Sequence, residues 1–251
     1  MYDKIEFFKS YCSRATEKKI LVESIGTRLT PLDDKAKILD LGCHDGTLIR
    51  TIITRYQHRI SDKLNIVGVD PSQRALAEFS AHEFSKKYSI KTYKGTAEDY
   101  FSRHNEYFDW ILASQSLYWS PDLGLIIRQM YQNSDSALIV LRGKTGIFEI
   151  QTQFKEYLGN KQEQLYSADD VERALVAEQI PFIKERHQTF IDLPQYNAPE
   201  FNWLIAFFLQ LEDADTSPDL ISRVKDYIVQ KSIANSLQHD VVFFWLGQTA
   251  C

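Results

Sequence analysis

The sequence of 251 residues lacks several features that mark secreted, membrane-bound or metal-binding proteins. Its only cysteines are Cys12, Cys43 and Cys251, and they show neither metal-ligand spacing nor a C-x-x-C pair. No run of about 18 apolar residues occurs, and the segment from Met1 to Phe8 carries charges where a signal peptide has its apolar core. We therefore expect a soluble, cytoplasmic protein with reduced thiols, no membrane partner and no metal.

The sequence also lacks an excess of positive charge. Its formal net charge is −5 and its pI is near 5.7, and its basic residues form only isolated pairs such as Lys18-Lys19 and Lys86-Lys87. This pattern gives no electrostatic footprint for nucleic acid. With 44% hydrophobic and 25% charged residues, the chain can bury a full core. We expect no nucleic-acid partner, and a chain present as a monomer or homodimer.

Short strand-like runs alternate with amphipathic helical stretches along the chain. This alternation predicts an α/β fold with a doubly wound, mostly parallel sheet. The predicted strands are Lys37 to Leu41, Asn65 to Asp70, Ile90 to Lys94, Phe108 to Ala113, Ala137 to Arg142, Phe182 to Leu193 and Val241 to Thr249.

We interpret residues 1–251 as a single domain with additions at two places. Residues 1–30 have apolar side chains at helical spacing and predict an N-terminal helical cover, ahead of a cofactor-binding half at 36–143. Residues 194–240 are helical in pattern and predict an insertion before the last strand, which acts as a lid or in substrate recognition. Alternatively, its aromatic residues only bury one face of a helical hairpin; they are Phe201, Trp203, Phe207, Phe208 and Tyr227.

The most informative motif follows the first predicted strand. A dinucleotide fingerprint counted from Gly42 requires glycine at positions 44 and 47, where this chain has His44 and Thr47. An acid-x-G-x-G-x-G pattern counted from Asp40 is instead met at Gly42 and Gly46 and missed only at His44. There is also no G-K-[ST] phosphate loop, so the motif predicts a nucleotide-binding βαβ unit with neither a dinucleotide fingerprint nor a phosphate loop.

This pattern resembles motif I of the class I S-adenosylmethionine-dependent methyltransferases, whose fold is a Rossmann-like seven-stranded sheet. The resemblance implies S-adenosyl-L-methionine as cofactor and S-adenosyl-L-homocysteine as product. It places Asp40 near the methionine amino group, Gly42 and Gly46 along the methionine and ribose, and Asp70 on both ribose hydroxyls. Asp40 could instead only order the glycine turn, and Asp70 could only cap the helix that begins at Pro71.

The same resemblance extends the set of cofactor-binding residues. Gly95 to Asp99 resembles the segment that recognises adenine, by the backbone of Ala97 and by the side chain of Glu98 or Thr96; the alternative is a polar loop opening a helix. His44 takes the place of a glycine, so either the turn is wider or its imidazole points to solvent. The predicted cofactor-binding residues are Asp40, Gly42, Cys43, His44, Gly46, Asp70, Pro71, Thr96, Ala97, Glu98, Ser114 and Gln115.

The segment Ser114 to Trp119 follows the fourth strand and is not the Asn-Pro-Pro-Tyr loop of DNA amino methyltransferases. It resembles the Gln-x-Leu-Tyr-Tyr segment of histamine N-methyltransferase-type enzymes. Thr16-Glu17 resembles their Ser-Thr-Glu, whose glutamate contacts the substrate amine, and a polar residue before the last strand, here His239 or Asp240, matches their layout. The resemblance implies catalytic roles for a set of four residues, Gln115, Glu17, Tyr118 and His239. Glu17 could equally be a solvated helix charge.

The function predicted is transfer of a methyl group to a small-molecule acceptor by in-line displacement, with an amine nitrogen as acceptor. An O-methyltransferase acting on a carboxylate or hydroxyl is one alternative. A non-catalytic subunit that binds the cofactor and a partner protein is another. A protein or RNA methyltransferase is disfavoured because no additional basic or docking domain is evident.

Overall fold

The computed structural model describes residues 5–81, 83–159, 164–213 and 217–247. The chain divides into two compact units. Unit 1 comprises Met1–Ile20, Arg142–Glu163 and Arg186–Val241, and unit 2 comprises Leu21–Leu141, Gln164–Glu185 and Val242–Cys251. The single domain predicted from the sequence, with a helical cover at 1–30, a cofactor-binding half at 36–143 and an insertion at 194–240, stays a prediction.

Helices and strands alternate through most of the described chain. In order they are α1 Ile5–Cys12, α2 Glu17–Arg28, β1 Lys37–Leu41, α3 Thr47–Arg55, β2 Asn65–Asp70, α4 Gln73–Ala81, α5 Phe84–Lys87, β3 Ser89–Lys94, α6 Ala97–Arg103, β4 Phe108–Ser114, α7 Leu123–Gln132, β5 Ser134–Arg142, α8 Ile147–Gln153, a 3-10 turn at Lys155–Tyr157, α9 Ala168–Ala177, β6 Phe182–Asp192, α10 Pro199–Leu209, α11 Pro218–Lys231 and β7 Ser236–Leu246. None of the described helices is long and apolar enough to cross a membrane.

The strands form one seven-stranded sheet in the order β3-β2-β1-β4-β5-β7-β6. Strands β1 to β5 pair in parallel; for example, Leu39 lies opposite Val67 on β2 and Ile111 on β4. This arrangement confirms the predicted Rossmann-like class I methyltransferase fold. The strand order reverses between β1 and β4, and in open α/β sheets ligands bind at the carboxyl ends of the strands beside such a switch point.

Unit 2 has an apolar core on the parallel strands. Leu39, Ile111 and Ile139 have no exposed surface, as expected of parallel strands covered by helices on both faces. Helices α7 and α9 add Ile126, Ile127 and other buried apolar residues to the same cluster. The strand ends on which the candidate cofactor residues lie are held in place by the packing of this core.

The last strand begins at Ser236 and ends at Leu246, whereas the sequence predicted Val241 to Thr249. The first part of the strand alternates between half-buried and buried residues, and one buried member is His239 rather than an apolar residue. An apolar pattern therefore could not reveal this part. Positions 248 and 249 lie outside the described residues.

The aromatic residues of the predicted insertion pack within unit 1. Phe207 stacks on Tyr11 of α1 at 4.6 Å between ring centroids, and Phe208 has no exposed surface. The Gln151 side chain of α8 donates a 2.7 Å hydrogen bond to the carbonyl of Phe208. Tyr227 of α11 packs edge-on against the ring of Phe154. These contacts give Phe207, Phe208 and Tyr227 a helix-packing role. The lid or substrate-recognition role of residues 194–240 stays a prediction.

Candidate functional site

The turn after β1 is held against β2 by backbone hydrogen bonds. The amides of Gly42 and Cys43 both donate to the carbonyl of Val69, at 2.8 and 3.1 Å, and Gly46 donates to the carbonyl of Cys43 at 2.9 Å. Gly42, Gly46 and His44 have φ values of 74°, 72° and 49°. These left-handed conformations are easy for glycine and costly for histidine, so His44 occupies its position with backbone strain.

Both motif glycines are also required by close packing. A Cβ on Gly42 would lie 2.3 Å from the Cβ of Ser116, and a Cβ on Gly46 would lie 2.3 Å from the ring of Phe79. Neither approach is compatible with a side chain. The glycine turn is therefore set by the protein's own packing, and it brings Ser116 of the loop after β4 directly against Gly42.

Asp70 ends β2 and is 5% exposed. One carboxylate oxygen accepts the backbone amide of His44 at 2.9 Å, and the other accepts the amide of Ser72 at 2.8 Å. The alternative role considered for Asp70 was that of a helix cap. The structure shows that Ser72 caps α4, because its hydroxyl accepts the amide of Ala75 at 3.1 Å. Asp70 thus links the glycine turn to the start of α4.

The other polar residues of the motif are buried or half-buried. Asp40 is 3% exposed on β1. Burial and the neighbouring carboxylates of Asp40 and Asp70 raise the pKa of the Cys43 thiol well above its usual value, so it stays protonated. The ring of His44 lies 3.6 Å from Asp45. Burial alone raises the pKa of Asp45, but hydrogen bonds from His44 and Thr47 outweigh it and bring that pKa far below its usual value.

The predicted adenine segment opens helix α6. Thr96 forms a capping box with Asp99: its hydroxyl accepts the Asp99 amide at 3.2 Å, and the Asp99 carboxylate accepts the Thr96 amide at 3.0 Å. The Thr96 side chain is therefore occupied by helix capping. Ala97 is half-buried, and Glu98 accepts a hydrogen bond from the hydroxyl of Ser120. The backbone of Ala97 and the side chain of Glu98 stay the candidates for a base contact.

The loop after β4 turns sharply at Gln115. Ser114 is the last residue of β4, and Gln115 has a φ of 56° while its amide still donates to the carbonyl of Val140 on β5 at 2.8 Å. Such a left-handed glutamine is strained and often marks a functional position. Tyr118 is 4% exposed and packs into the core of unit 2, which gives it a structural role in this unit.

Two further polar residues of this loop are Ser116, which was not among the predicted site residues, and Trp119, which belongs to the predicted substrate segment. The Ser116 hydroxyl and the Trp119 indole nitrogen are buried and have no hydrogen-bond partner among the described residues. Buried polar groups without partners are unusual and invite a ligand or water. The position of Ser116 after the fourth predicted strand could have indicated it, because the carboxyl ends of parallel strands lie at one edge of the sheet, where the glycine turn also lies.

Unit 1 contains the other two predicted catalytic residues. Glu17, at the start of α2, lies 3.3 Å from His239 of β7, measured from carboxylate Oε2 to imidazole Nε2. They are 6% and 1% exposed, so Glu17 is not a solvated helix charge. Asp240, the alternative to His239, instead lies 3.4 Å from the guanidinium of Arg186.

The residues of unit 2 fit S-adenosylmethionine better than a phosphate ligand. The buried carboxylates of Asp40 and Asp70 suit the ammonium and hydroxyl groups of that cofactor. A phosphate would require free amides at the start of α3, but the Thr47 amide already donates to the carboxylate of Asp45 at 3.0 Å. The Asp40–Gly46 turn and Asp70 would hold the methionine and ribose parts of the cofactor.

Comparisons with known proteins point to the same class. Residues 39–133 match the family profile described as Methyltransferase domain. The Ubiquinone biosynthesis O-methyltransferase of Aromatoleum aromaticum is 26% identical over 148 residues, which are 57% of this chain and 58% of that protein. The chain thus spans little more than half the length of this curated relative.

Solved structures share the fold at low sequence identity. The cyclopropane synthase MmaA2 from Mycobacterium tuberculosis superposes with a TM-score of 0.62 at 15% identity, over 99% of this chain and 96% of that one. Phosphoethanolamine N-methyltransferase 2 from Haemonchus contortus, solved with S-adenosyl-L-methionine, gives a TM-score of 0.55 at 17% identity, over 92% of this chain and 52% of that one. The family match supports the predicted enzyme class and cofactor, an S-adenosylmethionine-dependent methyltransferase, while leaving the acceptor open.

Proposed function

We propose that this chain transfers the methyl group of S-adenosylmethionine to a small-molecule acceptor, with an amine nitrogen as the favoured acceptor atom. The observation that carries the proposal is the Asp70 carboxylate, fixed by two backbone amides beside the glycine turn at the switch point of the sheet. The match of residues 39–133 to the Methyltransferase domain supports it independently.

The main task of the protein in this reaction is to position the acceptor. When bound, the cofactor supplies an activated methyl group and its own leaving group. The protein has to align the acceptor with the methyl carbon and exclude water, and good alignment can be worth roughly 7–11 kcal/mol. We assign alignment to the loop after β4, where the strained Gln115 can orient an acceptor but cannot act as a base, because an amide is not basic at neutral pH.

Two acceptor classes are supported by different observations. An amine is the first candidate, because the segment Ser114 to Trp119 resembles the corresponding segment of histamine N-methyltransferase-type enzymes. A hydroxyl acceptor is the second candidate, because the curated relative is named as an O-methyltransferase. A non-catalytic role is the outcome left if the cofactor binds and no acceptor is methylated.

The experiment is a transfer assay with S-adenosylmethionine labelled in its methyl group, run against panels of amines, phenols and carboxylates. We expect turnover on at least one panel, strongest with amines. The variant Gln115→Ala should bind S-adenosylhomocysteine nearly as well as the wild type but should lose turnover. Binding without turnover on any panel would remove the catalytic proposal, and turnover restricted to phenols or carboxylates would replace the amine with an oxygen acceptor.

A further inference from the structure

His44 has a strained backbone at a position where the resembled motif has glycine. Its φ is 49°, between Gly42 at 74° and Gly46 at 72°. Glycine adopts this left-handed conformation without strain, whereas a residue with a side chain is destabilised in it. Strain of this kind is concentrated at sites that bind ligands or carry out chemistry. The side chain of His44 is therefore a candidate for a function that glycine could not perform.

The ring of His44 lies against the protein and does not extend freely into solvent. The side chain is 17% exposed, and its Nδ1 lies 3.6 Å from Oδ1 of Asp45. That carboxylate is itself fixed, because its Oδ1 accepts the amide of Thr47 at 3.0 Å. The guanidinium of Arg50 donates to the carbonyl of Asp45 at 2.5 Å and to the hydroxyl of Thr47 at 2.9 Å. These contacts orient the imidazole ring within the turn.

The backbone of His44 places this ring in the segment assigned to the cofactor. The amide of His44 donates to the carboxylate of Asp70 at 2.9 Å, and we assign that carboxylate to the ribose. The same turn begins at Asp40, which we assign to the methionine amino group. The ring therefore belongs to the segment that holds the methionine part of the cofactor in the proposed complex.

The amino-acid end of the cofactor carries a carboxylate as well as an ammonium group. The carboxylates of Asp40 and Asp70 suit the ammonium and the hydroxyl groups, but they repel another carboxylate, which requires a hydrogen-bond donor. The thiol of Cys43 is a weak donor and already points to the carbonyl of His44, at 3.6 Å from sulfur to oxygen. An imidazole carries an N–H donor in both its neutral and its protonated form. Among the side chains from Asp40 to Gly46, His44 is thus the one best suited to this carboxylate.

We propose that the imidazole of His44 binds the amino-acid end of the cofactor, with an N–H group that donates to its carboxylate. This inference rests on the proposed methyltransferase function. The strained backbone is retained because glycine at this position would have no side chain for the contact. His44 accordingly contributes to cofactor affinity, and this contribution depends on the amino-acid end of the ligand.

The test compares two ligands by isothermal titration. S-adenosylhomocysteine has the amino-acid end, whereas 5′-methylthioadenosine keeps the adenosine and the sulfur atom but lacks that end. We expect His44→Ala and His44→Gly to lower affinity for S-adenosylhomocysteine by roughly 10- to 100-fold, as for loss of a hydrogen bond to a charged group. Affinity for 5′-methylthioadenosine should stay within about twofold of the wild type. Equal losses for the two ligands, or no loss for S-adenosylhomocysteine, would overturn the proposal.

The two variants separate the effect of the ring from that of the backbone. Alanine removes the imidazole and keeps the left-handed strain, whereas glycine removes both. The urea midpoint of His44→Gly should therefore lie above that of His44→Ala, while their affinities for S-adenosylhomocysteine should be equally low. If glycine restored the affinity that alanine loses, the effect would belong to the backbone and the proposal would be wrong.

The matched control is Gln179→Gly. Gln179 also has a left-handed backbone, with a φ of 55°, and it is exposed after α9 in the same unit. This variant should relieve strain and leave both affinities unchanged; a loss of affinity similar to that of His44→Gly would contradict a contact specific to His44.

The two proposals fail in distinguishable ways. Wild-type protein that binds neither ligand would overturn the methyltransferase function and this inference together. Wild-type protein that binds both ligands, with His44 variants of unchanged affinity, would overturn this inference alone.

Discussion

Substitution of Asp70 by alanine should weaken both cofactor binding and the fold, by separate sets of hydrogen bonds. In the proposed complex this carboxylate accepts hydrogen bonds from both ribose hydroxyls, and hydrogen bonds to a charged group are worth roughly 1.5–3 kcal/mol each. Loss of two such bonds corresponds to about 3 kcal/mol or more, so the dissociation constant for S-adenosylhomocysteine should rise by at least about 10²-fold.

The same substitution also affects stability through contacts present without cofactor. Asp70 accepts the amides of His44 and Ser72, and both donors lose a charged partner in the variant. We expect a decrease of about 2–6 kcal/mol in the free energy of unfolding, since each of the two buried polar groups left unsatisfied costs about 1–3 kcal/mol. Urea denaturation measures this quantity, and it shows whether the variant is folded when binding is measured.

The control separates ligand binding from stability. Ser72→Ala removes the hydroxyl that caps α4 through the Ala75 amide but leaves Asp70 in place. It should cost about 1 kcal/mol of stability, with little change in cofactor affinity. Both affinities can be measured by isothermal titration with S-adenosylhomocysteine. A folded Asp70→Ala variant whose dissociation constant stays within about threefold of the wild type would refute the assignment of this carboxylate to the ribose.

Three further predictions concern the turn, the capping box and the buried pair. Gly42→Ala should lower the free energy of unfolding by about 2–4 kcal/mol, because of left-handed strain and contact with Ser116. In urea denaturation, adding Ser116→Gly to this variant should recover part of the loss. An equal cost of Gly42→Ala in the wild type and in the Ser116→Gly variant would contradict the contact. Thr96→Ala should lower the free energy of unfolding by about 1 kcal/mol, because it removes the cap on the Asp99 amide, whereas Thr96→Ser should not. Both variants should keep the wild-type affinity for the cofactor. A loss of affinity in titration would instead assign the Thr96 hydroxyl to adenine. Folding lowers the pKa of Glu17 below its ordinary 4.5, so its ionised form contributes stability above that pH, and this contribution is lost as pH falls through the lower folded-state value. The melting temperature of Glu17→Gln should therefore lie below that of the wild type at neutral pH and approach it in acid. A difference in melting temperature that stays constant with pH would contradict the shift.

The cofactor half of the fold could be predicted from sequence because its signals are local. A buried strand, a glycine turn and a strand ending on a carboxylate are contiguous in the chain, so Asp40, Gly42, Gly46 and Asp70 could be identified with their strands. The carboxyl ends of parallel strands lie at one edge of the sheet. Residues far apart in sequence were therefore expected to lie close together at that edge. The assignment of individual contacts to the cofactor stays a prediction.

Other parts of the site depend on contacts that a linear pattern does not encode. His239 interrupts the apolar alternation of β7, so its strand was predicted to begin five residues late, and its pairing with Glu17 joins positions 222 residues apart. The hydrogen bonds that assign the α4 cap to Ser72 and the α6 cap to Thr96 depend on local backbone angles. The contact of Ser116 with the glycine turn is likewise set by tertiary packing.

The measurement that tests the central claim most directly is isothermal titration of the wild-type chain with S-adenosylmethionine and S-adenosylhomocysteine. The account predicts one saturable site per chain for both compounds, and loss of that site in a folded Asp70→Ala variant. It also predicts no comparable binding of a dinucleotide such as NAD, because the Thr47 amide at the start of α3 already donates to the Asp45 carboxylate. Absence of binding by both sulfur compounds, or preferential binding of the dinucleotide, would contradict the assignment of this chain as an S-adenosylmethionine-dependent methyltransferase.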